Sequence, residues 1–282
     1  MLFSRLRGLL IITGTGNGGI MTAAIIQARI GSTRLPEKVL RPILGRPMLE
    51  LMLERLGYCK KLDKIIIATT TAPEDDRIES MCDIWGVDCY RGSIDDVLSR
   101  YLNTALKFDV DVIVRLTSDC PLIDPQLVDE VIGLYMNNRD KYDYCSNINP
   151  PTYPDGLDVE VLPLEVLKKI DELASEQGDR EHVTTYIDKH ERDFRIGNVS
   201  DGINRSKFRW TVDAYDDLEF VIQVYKALYK PGECFGREEI FELLRNQPEL
   251  MAINAGHTRN EGHKMTDEEK KNSARQTEKE YN

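Results

Sequence analysis

The chain has 282 residues, with 37 basic and 48 acidic side chains and a formal net charge of −11. This acidic balance argues against non-specific binding to nucleic acid or to anionic membranes, because both require a broad basic surface. The length allows one large domain or two small ones. The cysteines and histidines are dispersed without the paired spacing of a zinc site, so we expect free thiols, a reducing compartment and a cytoplasmic protein.

Residues 1–21 are expected to form a flexible leader without function. Their apolar stretch, residues 9–12, is too short for the hydrophobic part of a signal peptide. Residues 14–19 satisfy the G-x-G-x-x-G pattern of dinucleotide-binding folds, but the second predicted strand ends in threonines where such a fold needs an acid. An NAD-dependent enzyme remains an alternative, and strong NADH-dependent fluorescence quenching would favour it.

From residue 22 onward, short apolar runs typical of buried strands alternate with amphipathic helices. The sequence predicts strands over 23–27, 64–70, 87–90 and 112–116. It predicts helices over 48–56, 78–85, 97–105 and 125–136. Gly86 should close the second helix, Ser93 with Asp96 should cap the third, and Asp124 should cap the fourth. This alternation indicates a doubly wound α/β sheet, which binds ligands beyond the carboxyl ends of its strands.

The pattern changes after Tyr142. Residues 145–200 are rich in Pro and Asn near their start and are predicted to form a small inserted subdomain, with an extended run over 158–162 and a helix over 164–173. A strand over 208–212 and a helix over 218–228 follow. We therefore predict a folded domain over residues 22–250 and a polar, mobile tail over 251–282.

The loop after the first strand is strongly basic. Arg29, Arg34 and Lys38 lie within ten residues around the turn at Gly31 and Ser32. The glycine allows backbone N–H groups to approach a phosphate closely, and the cations would neutralise its charge. The loop lacks the G-K-[ST] ending of a Walker loop, so a solvated basic loop that binds nothing remains the alternative.

Two aspartates follow predicted strands. Asp119 comes after the strand over 112–116, and Asp213 comes after the strand over 208–212. Such acids can hold Mg²⁺ against a triphosphate, although either could instead cap a turn or a helix. Two carboxylates brought together without a metal repel each other, so we expect a strained site that a metal would relieve.

Five stretches, taken together and in order, resemble the CMP-sugar-acid synthetases, and most closely their spore-coat polysaccharide biosynthesis protein F branch. The stretches are residues 24–40, 68–76, 91–98, 114–124 and 209–213. The resemblance implies a Rossmann-like nucleotidyltransferase fold with a mixed, mostly parallel sheet flanked by helices, and an insert that contributes to a homodimer interface. It also implies a cytidylyltransferase that uses CTP, Mg²⁺ and an acidic sugar or related acidic acceptor, and releases pyrophosphate.

The resemblance further implies roles for individual residues. The catalytic residues would be Arg29, Arg34, Lys38 and Asp119. The nucleotide would contact Ala28, Arg29, Gly31, Ser32, Arg34, Lys38, Thr69, Thr70, Arg91 and Arg115. The metal would bind Asp119 and Asp213, and the acceptor would contact Asp155, Asp158, Glu160, Arg180 and His182.

Two further alternatives stay open. A sugar transferase of similar architecture would carry a D-x-D metal motif, but Asp109-Val110-Asp111 precedes a predicted strand instead of ending one. A non-catalytic nucleotide-binding subunit would bind CTP without releasing pyrophosphate.

Overall fold

The computed structural model of this chain describes residues 19–32 and 34–259. The glycine pattern at residues 14–19 therefore lies, apart from Gly19, outside the described residues, as do most of the predicted leader and the chain beyond 259. A seven-stranded sheet in the order β5-β4-β1-β6-β8-β7-β9 forms the centre, and β2 and β3 form a small separate hairpin. The strands are β1 (Thr22–Gln27), β2 (Pro42–Ile43), β3 (Arg46–Pro47), β4 (Lys64–Thr70), β5 (Asp88–Gly92), β6 (Val112–Thr117), β7 (Tyr144–Ser146), β8 (Glu160–Pro163) and β9 (Ile196–Asn198).

The central strand β1 is apolar on both faces. Ala24 and Ile26 pack into one buried layer, and Ala23 and Ile25 pack into the other. Neighbouring β4 and β6 both pair with β1 in parallel, and β5 continues the parallel order beyond β4. The four predicted strands of this half are confirmed, because a doubly covered parallel strand reads as a continuous apolar run.

Helices cover both faces of the sheet. They are α1 (Met48–Leu56), α2 (Asp76–Trp85), α3 (Val97–Lys107), α4 (Pro125–Met136), α5 (Leu164–Leu173), α6 (Gln177–His182), α7 (Thr185–Lys189), α8 (Tyr215–Leu228) and α9 (Arg237–Asn246). Gly86, at φ 72°, ends α2 as predicted, and Asp124 accepts a hydrogen bond from the Leu127 N–H at the start of α4. Our capping prediction for α3 is confirmed in part: the Ser93 hydroxyl accepts a hydrogen bond from the Asp96 N–H at 3.1 Å, but the helix begins after Asp96, whose own side chain accepts from the Ser99 N–H. None of the helices in the described residues is long and apolar enough to cross a bilayer.

The segment over residues 145–200 differs from the inserted subdomain that we predicted. Its strands β8 and β9, together with β7, extend the central sheet beyond β6. The reversed strand β8 runs antiparallel to β6 and pairs Glu160 with Arg115. This reversal places the first residue of β8 at the same edge as the carboxyl ends of the parallel strands.

The predicted strand over 208–212 does not form. This segment crosses the ends of the strands instead of lying beside one of them, and it makes a single bridge, between Asp155 and Arg209. Three backbone hydrogen bonds hold it there: Val212 N donates to Asp119 O at 2.8 Å, Trp210 N donates to Asp155 O at 2.7 Å, and Asp155 N donates to Phe208 O at 2.9 Å. Asp213 therefore reaches the sheet edge from a loop and not from the end of a strand.

Ordered packing also continues past residue 250, where we had predicted a mobile tail to begin. Asn254 is buried, and its side-chain amide donates to Arg209 O and to Asp217 Oδ1, each at 3.0 Å. The sequence gives little sign of this ordered segment, because polar hydrogen bonds attach it to the folded domain and few apolar side chains do.

Gly156 fixes the approach of the 154–157 turn to the crossing segment. It lies at φ +100°, and a Cβ there would stand 2.5 Å from Thr211 N and 2.6 Å from the carbonyl carbon of Trp210. Gly156→Ala should therefore destabilise the fold by about 1–3 kcal/mol and lower Tm by several degrees. Gly178→Ala in α6 is the matched control, because a Cβ at that position would have nothing within 4 Å. Equal melting temperatures for both variants would contradict this account.

Candidate active site

A cavity of about 870 Å³ opens at the carboxyl ends of β1 and β6. Ligands of open α/β sheets bind at this position, where the chain order reverses between neighbouring strands. The predicted site residues that line the cavity are Ala28, Arg29, Gly31, Ser32, Arg34, Lys38, Arg115, Asp119, Asp155, Asp158, Glu160, His182 and Asp213. Thr69, Thr70, Arg91 and Arg180 were also predicted, but they do not line it.

The basic loop after β1 is anchored at two apolar side chains, Ile30 and Leu35, which are both buried. The backbone N–H of Ile30 donates to Asp75 Oδ1 at 2.7 Å. Gly31 lies between these anchors and is exposed. Arg29, which precedes Ile30, is also exposed and has no ion pair among the described residues. The loop is therefore held at its base while its turn and its first cation face the cavity.

Thr70 and Arg91, which we predicted to contact the nucleotide, do not line the cavity and instead hold the loop after β4 that carries Asp75. The buried hydroxyl of Thr70 donates to Asp75, the same carboxylate that holds Ile30 N. Arg91 donates to the carbonyl oxygens of Thr70 and Ala72, at 2.9 Å each. Thr69 is likewise fully buried.

The two predicted metal carboxylates meet, although about ninety residues separate them in the chain. The ammonium group of Lys38 lies between them, 3.0 Å from Asp119 Oδ2 and 2.9 Å from Asp213 Oδ1. It also donates to the carbonyl oxygen of Val212 at 3.1 Å. Our prediction of mutual repulsion in the absence of metal was wrong, because this lysine neutralises the pair.

Further cations surround Asp213. Arg34 Nη2 lies 3.1 Å from its Oδ1, and Arg209 Nη2 lies 3.1 Å from its Oδ2. Burial alone would raise the pKa of Asp213, but Lys38 and Arg34 outweigh it and hold that pKa well below its usual range. Burial would likewise lower the pKa of Lys38, but Asp119 and Asp213 raise it, so the ammonium stays charged at neutral pH.

The side of the cavity formed by β6 and β8 also carries ion pairs. Arg115 pairs with Glu160, which is buried and accepts a second hydrogen bond from the Tyr144 hydroxyl at 2.6 Å. Burial opposes the charge of Arg115, but Glu160 raises its pKa. Asp158 accepts from Arg259 at 2.6 Å. Each of these two carboxylates is therefore paired with an arginine.

Arg180 lies outside the cavity, against our prediction of an acceptor contact. Its guanidinium donates to Asp96 Oδ2 at 2.7 Å and to Asp171 Oδ1 at 2.6 Å. It thus joins the start of α3 to the end of α5. His182, two residues further on, does line the cavity.

Several cavity residues were not predicted from the sequence as site residues. Arg209 stands inside a recognised motif, but its bonds to Asp213 and Asp217 only become apparent in the fold. Arg259 lies in the segment that we predicted to be mobile, and Asp188 and Arg100 occupy helices without a motif of their own. No local pattern identifies such residues, because distant parts of the chain bring them together.

The donor set at Asp119 and Asp213 fits Mg²⁺. Within residues 19–32 and 34–259, no group of three or more His, Cys, Asp or Glu side chains could hold a metal by itself. Mg²⁺ commonly binds one or two carboxylates together with substrate phosphates, and two carboxylates face this cavity beside the basic loop. The Asp109-Val110-Asp111 motif lies elsewhere: Asp111 accepts from Met21 N, at the opposite end of β1.

A profile of the cytidylyltransferase family matches residues 23–274. The chain belongs to the cytidylyltransferase family. It is 35% identical to the spore coat polysaccharide biosynthesis protein SpsF of Bacillus subtilis over 235 residues, which cover 80% of this chain and 94% of that protein. It is 34% identical to the 8-amino-3,8-dideoxy-manno-octulosonate cytidylyltransferase of Shewanella baltica, covering 83% of this chain and 86% of that enzyme.

A solved cytidylyltransferase of Leptospira borgpetersenii has the same architecture. It superimposes with a TM-score of 0.79 at 31% identity, covering 82% of this chain and 97% of that chain. The predicted nucleotidyltransferase fold, with its mixed and mostly parallel sheet, is thereby confirmed.

Asp75 should be a positioning residue for the basic loop. Asp75→Ala removes the acceptor of the Ile30 N–H and of the Thr70 hydroxyl, and an unmade buried bond costs about 1–3 kcal/mol. We expect faster amide exchange at residues 28–32 and weaker CTP binding in calorimetry. Asp83→Ala, on the exposed side of α2, should change neither. Unaltered exchange in the Asp75 variant would contradict this role.

The acidic wall should give the stability a pH dependence. Burial, reinforced by Asp158, raises the pKa of Asp155 to about 7. The folded state therefore binds a proton that the unfolded state has already released, and stability falls as pH rises towards 7. Asp155→Asn should accordingly gain Tm relative to the wild type at pH 8 and not at pH 4. Asp140→Asn on the surface should show no such trend, and a pH-independent difference for Asp155→Asn would contradict the prediction.

Proposed function

We propose that this cytidylyltransferase transfers CMP from CTP to an acidic sugar or a related acidic acceptor and releases pyrophosphate, with Mg²⁺ as its cation. One observation carries the proposal: Asp119 and Asp213 converge with Arg34 and Lys38 beside the loop that follows β1. Bound Mg²⁺ supplies positive charge against the triphosphate. Bringing two acids and two cations to one end of a sheet suits phosphoryl chemistry, where positioning and charge stabilisation dominate.

The residues at the basic loop bind and orient the triphosphate. Arg29 is unpaired among the described residues and is available to phosphate oxygens without first breaking an ion pair. Arg34 and Lys38 hold carboxylates at 3 Å and can turn towards the nucleotide. Backbone groups near Ala28 and Gly31 complete the cradle. The acceptor oxygen attacks the α-phosphorus in line, and these cations stabilise the charge that grows on the departing pyrophosphate.

The acceptor is proposed to occupy the end of the cavity near β8. Arg115 and Arg259 lie there beside Glu160 and Asp158, and His182 lines the same wall. The carboxylate of an acidic acceptor can replace Glu160 or Asp158 as the partner of these guanidinium groups. The protein carboxylates can then accept hydrogen bonds from the hydroxyl groups of the acceptor. The Shewanella relative, whose name specifies an amino-dideoxy-octulosonate, supports a sugar acid in this role.

We also propose that the protein is a cytoplasmic homodimer whose interface includes residues 145–200. The edge strand β9 lies in this segment and leaves one side of its backbone without a neighbouring strand in the described sheet. Light scattering on a sizing column measures the mass directly, and a monomer at micromolar concentration would contradict this part of the proposal.

A screen of the four ribonucleoside triphosphates tests the nucleotide first. CTP at 100 times its Kd should add about 2.7 kcal/mol to the stability, which a thermal melt resolves. Sugar acids should then be assayed for pyrophosphate release. CTP binding without pyrophosphate release from any sugar acid would favour the non-catalytic nucleotide-binding alternative.

Arg34→Ala should lower kcat/KM for CTP by about 10²-fold, the scale for losing one preorganised electrostatic group. Asp119→Asn should lose most turnover and require more Mg²⁺, since it removes a charge while keeping shape. Arg245→Ala, exposed at the end of α9, is the control for loss of a surface cation. Full activity of both site variants, or turnover of CTP in excess EDTA, would contradict the proposed mechanism.

A further inference from the structure

Lys38 occupies the position between the two carboxylates that a metal would also require. Its ammonium group has three N–H donors, and its three acceptors are Asp119 Oδ2, Asp213 Oδ1 and Val212 O, at 2.9–3.1 Å. All of its donors are therefore used within the protein. A hard divalent cation prefers carboxylate and carbonyl oxygens of this kind, so lysine and metal compete for the same atoms.

The charge around the pair also disfavours a free metal ion. Arg34 and Arg209 each lie 3.1 Å from Asp213, in addition to Lys38. A divalent cation that entered without any new anion would have to displace the lysine and would then stand close to the two arginines. Like charges at such distances repel strongly when they are partly removed from water.

The side chain of Lys38 can move away from the two carboxylates while its backbone stays in place. Its backbone is fixed in a short 3-10 turn, where Lys38 N donates to Leu35 O at 3.2 Å and Arg41 N donates to Lys38 O at 3.1 Å. The four-carbon stem of lysine can swing its ammonium group from one partner to another around such an anchor. A triphosphate on the adjacent loop presents several negative oxygens to it.

We infer that Lys38 is an internal counter-ion which holds Asp119 and Asp213 together until a nucleoside triphosphate draws it away, so that a divalent cation binds this pair together with the nucleotide and not before it. The inference rests on the proposed function only in taking a nucleoside triphosphate as the ligand of the basic loop. Lysine in this role makes metal binding and nucleotide binding mutually dependent, and such coupling is reciprocal.

Mn²⁺ alone, titrated into the full chain without nucleotide and followed by the electron paramagnetic resonance of the free ion, tests the first half. Lys38→Met keeps the length of the stem and removes the charge, and it should bind Mn²⁺ at least about tenfold more tightly than the wild type. Lys64→Met is the matched control, because Lys64 pairs with a single carboxylate, Asp88, on the surface. Adding Asp119→Asn to Lys38→Met should abolish the gain.

Equal Mn²⁺ affinity in Lys38→Met and wild type, or a gain that survives Asp119→Asn, would overturn the inference. If Lys38→Met does not fold, the wild type provides the test. Tight stoichiometric Mn²⁺ binding to the wild type without nucleotide, if it is lost in Asp119→Asn, also overturns the inference. In the second half, CTP added to the wild type should bring Mn²⁺ onto the protein and enhance water proton relaxation beyond that of Mn²⁺–CTP in solution. Absence of that enhancement overturns the inference as well. The nucleotide-free titration involves no turnover. If the proposed function fails and the inference holds, the Mn²⁺ titrations will give the expected affinities while no sugar acid causes pyrophosphate release.

Discussion

The parallel pairing of β1 with both β4 and β6 is the constraint on which the site depends. Three strands that run in one direction deliver their following loops to one edge. The loop after β1 brings the cations, and the loop after β6 brings Asp119. The loop after β4 brings Asp75, whose bond to Ile30 N fixes the first of these loops. Binding groups and their support thus come from three neighbouring strands, and a change of register in one strand would displace its loop relative to the other two.

Charge compensation is the second organising feature. The protein has an excess of acid overall, yet three of the carboxylates that line the cavity have a cation beside them: Lys38 for Asp119, Arg115 for Glu160 and Arg259 for Asp158. Such pairing is required where charged groups leave water, since an uncompensated buried charge is costly. A charged ligand that binds to these groups must therefore replace one member of an ion pair, because each group already has a partner. This requirement favours selective binding over strong non-specific attraction of ions.

Much of this could be predicted from the sequence, because the relevant signals are local. The strand over 64–70 and the helices over 125–136 and 164–173 have the predicted bounds, since periodic apolar residues and clear caps define them. Most of the site residues also converge as the motifs indicated. The errors share one physical cause. Residues 208–212 read as a strand because their apolar alternation is real, but their hydrogen bonds go to loops, and Arg180 reads as a site residue although Asp96 and Asp171 hold it outside. The residues with which a side chain or a backbone group bonds across the fold cannot be predicted from the local sequence.

Attachment of residues 251–259 to the cavity has a practical and an evolutionary consequence. Asn254 holds Arg209 O, and Arg259 reaches Asp158, so this segment contributes to the cavity. A chain cut at residue 250 would keep strands β1 to β9 and helices α1 to α9, yet it would lack Arg259, which lines the cavity, and Asn254, which holds Arg209 O. Because these contacts come from a short polar segment outside the sheet, related chains could change that segment, and with it this part of the cavity surface, while the strands and the core stay as they are.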